Sequence, residues 1–424
     1  MKKLYTLLLA AAVTLSAAAA APLQSLRQAT APVNPVQFKE YNTKANATID
    51  VEKLSSTLAK AEAEVSSRAV EYPSFDRKYM LLSTQTPEAT VVDAAPCHLY
   101  EDPDAPGAGL FYLENFIMQN TNKIECTFDP QDVQGTTYMF LTIPSGTVLF
   151  SQNGMDYKLR FLAYDSEGNP GLYTDDIEFV LFPNGQLVYP YENCGIAYIT
   201  DNNYGSWICD PTMVEINGSY KSEDMSDYNA STGQATYSTF ECDVYGEYSS
   251  EYGMLLIANF DGYGSTISGV VDLDAKTVSV PSQYITSFRP YQTEQIWADA
   301  HIAGLSSSAT TLDPMLLELA SVDGKTKVTG EGALLVVPAN EELNALYPND
   351  GWNKLQLFSD LYDIEITLDF EIPGLASSGI EETVVSDENA PVVYYNLQGV
   401  RVENPSNGLY IKRQGNKATK VLVK

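Results

Sequence analysis

Leu113-Glu114-Asn115-Phe116 returns 144 residues later as Ile257-Ala258-Asn259-Phe260. Outward from this pair, five further matches keep the same order. Cys97–Tyr100 resembles Cys242–Tyr245 at an offset of 145, and Ile124–Asp129 resembles Ile267–Asp272 at 143. Thr142–Ser145 resembles Ser279–Ser282 at 137, and Asn184-Gly185 resembles Asp323-Gly324 at 139, each after an apolar strand bearing Glu178 or Glu318. Asn203–Trp207 resembles Asn349–Trp352, with the two Trp 145 apart. Each match is weak alone, because Asn, Gly and Tyr are common here; six in one order are hard to obtain by chance. The drift in offset has a physical reading, since insertions fall in loops while strands keep their order. The pattern predicts two tandem homologous domains, residues 71–220 and 221–374, against the alternative of two unrelated β-domains of similar composition. The period far exceeds the roughly 20 to 50 residues of solenoid repeats, so each unit should own a core.

The segments around these matches are β-rich. Phe111–Leu113, Thr137–Ile143, Ile177–Phe182, Leu255–Ile257 and Ile364–Leu368 are apolar, branched or aromatic, and Gly, Pro, Asn and Asp clusters separate them. Short strands with frequent turn signals predict an all-β fold, sandwich or barrel-like. No glycine-rich loop opens a helix, which disfavours a nucleotide-binding α/β fold. Ahead of the first unit, Val51, Leu54, Leu58 and Val65 share one helical face. This spacing predicts a short amphipathic helix over about Asp50–Arg68, following an extended start from residue 22. The helix is either a partner-binding element or a spacer packed on the next domain.

Composition bounds the chemistry. The 424 residues hold 25 Lys plus Arg against 55 Asp plus Glu, a formal charge of −30. Such a chain is unsuited to nucleic acid, whose phosphates need Lys and Arg, and to anionic membrane surfaces. Two His exclude a three-His zinc site and leave at most two starting points for a His-based triad. No catalytic signature, metal-ligand set or cofactor motif is evident. Lys2-Lys3, the apolar run Leu4–Leu15 and the small residues to Ala21 read as a secretory signal peptide, residues 1–21. The first Cys is Cys97, so a lipoprotein's acylated cysteine is not expected, and no later run is long enough to be a transmembrane helix. The expected address is export through the inner membrane, to the medium or the outer-membrane surface.

Four groups of side chains are candidates for function. Among the 28 Tyr, many lie beside Asn, Asp or Gly, such as Tyr198, Tyr204, Tyr245, Tyr248, Tyr252 and Tyr263. Exposed rings offer an apolar face to a sugar or protein, while strands also favour Tyr for packing. Tyr204 and Trp207, read as a polar loop, are the foremost binding candidates. Carboxylates such as Glu178, Glu318, Asp272 and Asp274 are candidates for a glycosidase pair, although spacing alone gives no separation between them. Asp165, Glu167 and Asn169 alternate as oxygen ligands would, but their loop lacks the EF-hand glycine and closing Glu and reads as a polar turn. Cys97 and Cys242 are repeat counterparts and read as small core residues, Cys126 is left over, and Cys194 with Cys209 form the one candidate disulfide.

The last residues change character. Residues 375–390 read as a linker, and residues 391–424 hold six basic residues against Glu403 alone, a net of +5. Within that tail, Tyr394-Tyr395-Asn396-Leu397-Gln398-Gly399-Val400-Arg401, Gly408-Leu409-Tyr410-Ile411 and Lys420-Val421-Leu422-Val423-Lys424 read as short strands and turns. In this order they resemble the C-terminal sorting domains of exported Bacteroidota-type proteins. That resemblance implies a small β tail read by the type IX secretion machinery at the outer membrane, and it implies nothing about the cargo. The expected cargo is a non-catalytic extracellular or cell-surface protein whose tandem β-domains bind glycan or protein. The alternative is a carboxylate-based secreted hydrolase acting on polysaccharide.

Overall fold

The computed structural model describes residues 36–64, 75–87, 89, 92–119, 121–165, 167–229, 232–291, 296–305, 311–336, 341–350, 352, 354–375, 392–395, 401–402, 405, 408–414 and 417–423. The signal-like residues 1–21, Val65 and the linker from residue 376 lie outside them.

The fold is nearly all β, as its turn-punctuated apolar segments predict. Besides the two-residue strands Val36–Gln37 and Lys39–Glu40 at its edge, twelve strands make the first part: β1 (Asp76–Thr84), β2 (Asp93–Glu101), β3 (Leu110–Glu114), β4 (Ile124–Val133), β5 (Thr136–Ile143), β6 (Val148–Gln152), β7 (Met155–Tyr164), β8 (Pro170–Tyr173), β9 (Ile177–Leu181), β10 (Leu187–Val188), β11 (Cys194–Ile199) and β12 (Tyr204–Glu215). Eight of them close a ring, β12-β1-β2-β3-β4-β5-β9-β10, because β12 pairs both with β1 and with β10. Alternate residues point inward, and Tyr79, Leu99, Leu113, Phe116, Ile124, Leu141 and Phe179 fill the interior.

The second part has ten strands: β13 (Gly218–Asn229), β14 (Gln234–Ser249), β15 (Met254–Ala258), β16 (Thr266–Asp272), β17 (Thr277–Val280), β18 (Gln283–Phe288), β19 (Ala298–Ala303), β20 (Met315–Val322), β21 (Lys325–Val336) and β22 (Gln356–Leu368). They close the ring β22-β13-β14-β15-β16-β17-β20-β21. This is the strand order of the first ring. In both parts off-ring strands fall between the fifth and sixth ring strands, β6–β8 in one and β18–β19 in the other, and the first part adds β11 before its last ring strand.

The repeated segments share register at three strand pairs, while β14 and β15 pair two residues out of step with β2 and β3: Leu99 faces Leu113, but Gly246 rather than Val244 faces Ile257. Tyr79 faces Cys97 as Tyr220 faces Cys242. Leu113 faces Ile124 as Ile257 faces Ile267, and Thr127 faces Thr142 as Val270 faces Ser279. Asn115 and Asn259 both take left-handed φ, 56° and 62°, which Asn tolerates better than most residues. Each turn drives the next residue, Phe116 or Phe260, into its core with no exposed surface. Two sequence matches fail. Glu178 faces Thr142 whereas Glu318 faces Thr277, so the register counterpart of Glu178 is Leu316 rather than Glu318. Trp207 is a strand residue packed beside Phe38, whereas Trp352 precedes β22 and lies in the second core.

The helix α1 (Val51–Glu64) starts where the sequence predicts. Asp50 caps it, its Oδ1 accepting the Lys53 backbone N–H at 2.8 Å. Leu54, Leu58 and Ala61 pack on the outer face of the first barrel, against Tyr138, Phe140, Val180, Phe182 and Val188. The helix is therefore a cover for that barrel. In the second barrel the register counterparts of Phe140 and Val180 are Thr277 and Glu318, polar residues that need no cover. Asp50→Ala should cost about 1 kcal/mol of stability through loss of the cap. Faster amide exchange confined to the first turn of α1 would register it, and unchanged exchange there would refute the capping role.

The two barrels belong to one compact unit. Met80, Ala94 and Val214 of the first pack on Ala258 of the second, with Leu82, Ile216, Tyr245 and Leu256 around them. Backbone bonds join the halves, Ala94 N–H to Gly264 O at 2.5 Å and Thr266 N–H to Val92 O at 3.1 Å. The basic tail forms its own antiparallel sheet, ordered β24 (Arg401–Val402), β23 (Val392–Tyr395), β25 (Gly408–Gln414), β26 (Lys417–Val423). No helix among the described residues is long and apolar enough to cross a membrane.

Candidate functional site

An open groove of about 780 Å³ lies where the two barrels meet. This volume lies within the roughly 300–1,000 Å³ of small-molecule sites. Strand pairing brings its walls together from distant sequence. β1 and β12 supply Ser83, Thr84, Asp210, Thr212 and Glu215; the β9–β10 turn supplies Asn184 and Gln186; β14 supplies Tyr245, Glu247 and Tyr248; α1 supplies Lys60. Asn217, in the link between barrels, clasps β14 by exchanging two bonds with the Gly246 backbone at 2.8 and 2.9 Å. That clasp holds the Tyr245–Tyr248 segment against the groove.

The groove's charges are paired. Asp210 meets Lys53, Glu215 meets Arg77, and Glu247 meets Lys60 at 3.2 Å. Glu247 also accepts the Tyr245 hydroxyl at 3.2 Å. A glycosidase needs one protonated carboxyl facing one free carboxylate. Here each carboxylate is committed to its own cation, and the remaining lining mixes amides, hydroxyls and phenols with the apolar Leu82, Val92, Val214, Phe370 and Pro373. That arrangement suits hydrogen bonding and ring stacking better than proton transfer.

A smaller cavity of about 100 Å³ lies at the same interface, lined by Gln85, Asp93, Tyr198, Tyr263 and Tyr284 among others. Burial raises the Asp93 carboxyl above its ordinary range, although Gln85 Nε2 donates to it at 2.7 Å.

Other constellations carry no catalytic geometry. His98 Nε2 contacts Asp76 Oδ1 at 2.5 Å on the barrel exterior. His301 stacks edge-on to Tyr284, and burial lowers its pKa. The nearby Ser287 hydroxyl donates directly to Asp299 at 2.6 Å, so the imidazole does not bridge them as a triad requires. Burial pushes the thiols of Cys97, Cys126 and Cys194 up to about 12 and that of Cys209 to about 11, far from a reactive thiolate. Among the described residues no three His, Cys, Asp or Glu side chains gather as a metal site. Asp165 is a turn cap, its Oδ1 accepting the backbone N–H groups of Glu167 and Asn169 at 2.9 Å.

The residues singled out in the sequence are placed differently from expectation. Tyr204 and Trp207 open strand β12 and are not in a loop. Three residues apart in a strand, they face opposite sides of the sheet. Tyr204 is 46% exposed and donates to Gln37 Oε1 at 3.2 Å, while Trp207 packs edge-on to Phe38 at 5.4 Å. They do not form one surface. Cys194 and Cys209 are unbonded. Gly195 is the residue facing Cys209, so Cys194 points into the barrel and Cys209 away from it. Tyr245 and Tyr248 do line the groove, and their polar neighbours in sequence were the available signal. Asn184, Gln186 and Lys60 were not foreseen, because only ring closure and helix docking bring them there.

No family model, no curated protein and no solved structure matches this chain.

Proposed function

We propose that the chain is an exported, non-catalytic extracellular or cell-surface protein that binds glycan in the groove between its barrels. The observation that carries this reading is the groove itself. Its volume can hold sugar rings, with the outward-facing Tyr245 on one wall and the Asn184 and Gln186 side chains on another, while Tyr248 meets it from the end of the second core. A pyranose has apolar C–H faces and polar edges; phenol rings meet the former, and amides and hydroxyls meet the latter. The pairing of Asp210, Glu215 and Glu247 with cations supports binding over hydrolysis. Export is supported by the lysine-led apolar start, and passage through a type IX apparatus by the tail's resemblance to sorting domains.

The test is a glycan array on the full chain, followed by calorimetry on any hit. Tyr245→Ala should weaken the interaction about tenfold through loss of ring stacking, while Tyr204→Ala should leave it unchanged. A panel of chromogenic glycosides should give no turnover. Hydrolysis abolished by Glu247→Gln would overturn the non-catalytic reading in favour of a polysaccharide hydrolase.

A further inference from the structure

A second surface, outside the groove, has its own chemistry. On the outer face of the first barrel Tyr100, Tyr112 and Glu125 stand in one row across β2, β3 and β4, with His98 and Glu114 in the next. The rings adjoin: His98 and Tyr100 have centroids 4.7 Å apart, Tyr100 and Tyr112 5.9 Å. Carboxylates edge the rings. Glu114 accepts the Tyr100 hydroxyl at 2.6 Å, Asp102 accepts that of Tyr112 at 3.3 Å, and Asp76 contacts His98. The chain's own Lys123 ammonium sits 3.4 Å from the Tyr112 centroid and 5.4 Å from that of Tyr100. A cation over a π face, ringed by carboxylates, is thus already seated there.

The duplicated fold gives an independent observation. By sequence offset the counterparts of Tyr100, Tyr112 and Glu114 in the second barrel are Tyr245, Leu256 and Ala258; there Tyr245 faces Ala258, a pairing two residues out of step with Tyr100 and Tyr112, and the three pack on Met80, Ala94 and Val214 as the interface between barrels. At its edge Lys78 of the first barrel pairs with Asp243, the counterpart of His98, at 3.0 Å. The same face that receives a lysine-edged protein surface in the second copy is half-buried at Tyr100 and Tyr112, and exposed at Lys123, in the first.

We propose that the Tyr100–Tyr112 face of the first barrel is a docking surface for a partner protein that presents a lysine or arginine side chain to the two rings. Lys123 holds the seat until the partner's cation replaces it, and the surrounding carboxylates complement a basic partner. A second copy of this chain is a poorer fit. The register counterparts of Met80 and Val214 in the second barrel are Lys221 and Glu365, each in an ion pair, so that barrel offers no apolar patch to match.

The experiment titrates the full chain with hexalysine, using its fully acetylated form as the neutral control. Hexalysine should bind and the acetylated form should not. Tyr100→Ala with Tyr112→Ala, which changes no charge, should weaken binding about tenfold. Lys123→Ala should strengthen it, and by more than Lys276→Ala, a remote exposed lysine. Should the double variant fail to fold, Tyr112→Leu keeps the bulk and removes the π face. Binding insensitive to the tyrosines but weakened by Asp272→Asn with Asp274→Asn would show diffuse charge attraction and overturn the proposal. Self-association in sedimentation that disappears in Tyr112→Leu would assign the face to a second copy and overturn it equally.

Discussion

Phe260→Ala should lower the stability of the protein by about 3–5 kcal/mol, and Phe116→Ala by a similar amount. Both rings are fully buried, and each contacts a second buried ring edge-on: Phe116 meets Phe179 at 6.2 Å, and Phe260 meets Tyr220 at 5.0 Å. The size of the loss depends on whether the surroundings can collapse into the vacated space. Here they are held. Asn259 and Asp261 flank Phe260 with φ of 62° and 52°, and Asn115 and Ile117 flank Phe116 with φ of 56° and 71°. Such turns are costly for non-glycine residues and persist only where packing fixes them. The Asn259 side chain is itself tied to Asp243 O at 2.8 Å and to the Gly264 N–H at 3.2 Å. Deleting the ring therefore leaves a cavity and also removes what holds the turn. Urea unfolding monitored by circular dichroism gives the measurement. A loss below about 1 kcal/mol for either variant would mean that the site relaxes freely, contrary to the argument from backbone constraint.

The Asn-Phe turn is also where the sequence was most readable. A left-handed Asn followed by a buried aromatic is a local feature, and local features recur visibly when a fold is repeated. Strand alternation around Leu113 and Ile257 was legible for the same reason. Ring closure was not, because it depends on β12 pairing with β10 and β22 with β21, contacts whose partners are set by shear and strand length. The Glu178–Glu318 match failed in the same way. Both residues lie on the sixth ring strand, but a two-residue difference in placement gives them different partners. Trp207 and Trp352 matched in composition only, since aromatic residues beside Asn are common in this chain. The Cys194–Cys209 pairing failed on parity, which spacing along the chain does not reveal. The groove was hardest to foresee, since its walls come from residues 60 to 373 and meet only when two closed barrels dock.

The comparison of the two barrels bears on function as well. Their interiors share strand order and most of their register while their exteriors diverge. The first barrel is covered by α1 over Phe140 and Val180, and the corresponding surface of the second is polar. The first carries Tyr100, Tyr112 and an exposed Lys123 on the face where the second packs Tyr245 and Leu256 against its neighbour. A repeated interior with divergent outer faces places the distinct chemistry of each copy on its surface, where the groove and the aromatic platform are both found.

Asp360→Asn should stabilise the protein above pH 6, by up to about 3 kcal/mol, and leave it nearly unchanged below pH 4. Asp360 is almost fully buried on β22, and burial pushes its carboxyl up to about 6 from an ordinary 3.8. Glu331 raises it further, while the Tyr237 and Tyr362 hydroxyls, which donate to Oδ2 at 3.3 and 3.5 Å, pull it back. A carboxyl whose folded pKa exceeds its unfolded value binds the proton more tightly in the native state. Stability from this group is therefore fully present below about pH 4, declines as pH rises toward 6, and is constant beyond. Asparagine stays neutral throughout and still offers an oxygen to the two phenols, so the variant escapes the decline. The difference in unfolding free energy between the two proteins should open between pH 4 and 6 and then hold. Parallel profiles across that window would mean that Asp360 titrates with its unfolded-state value, and that the two phenols and any bound water solvate its charge as well as bulk water does.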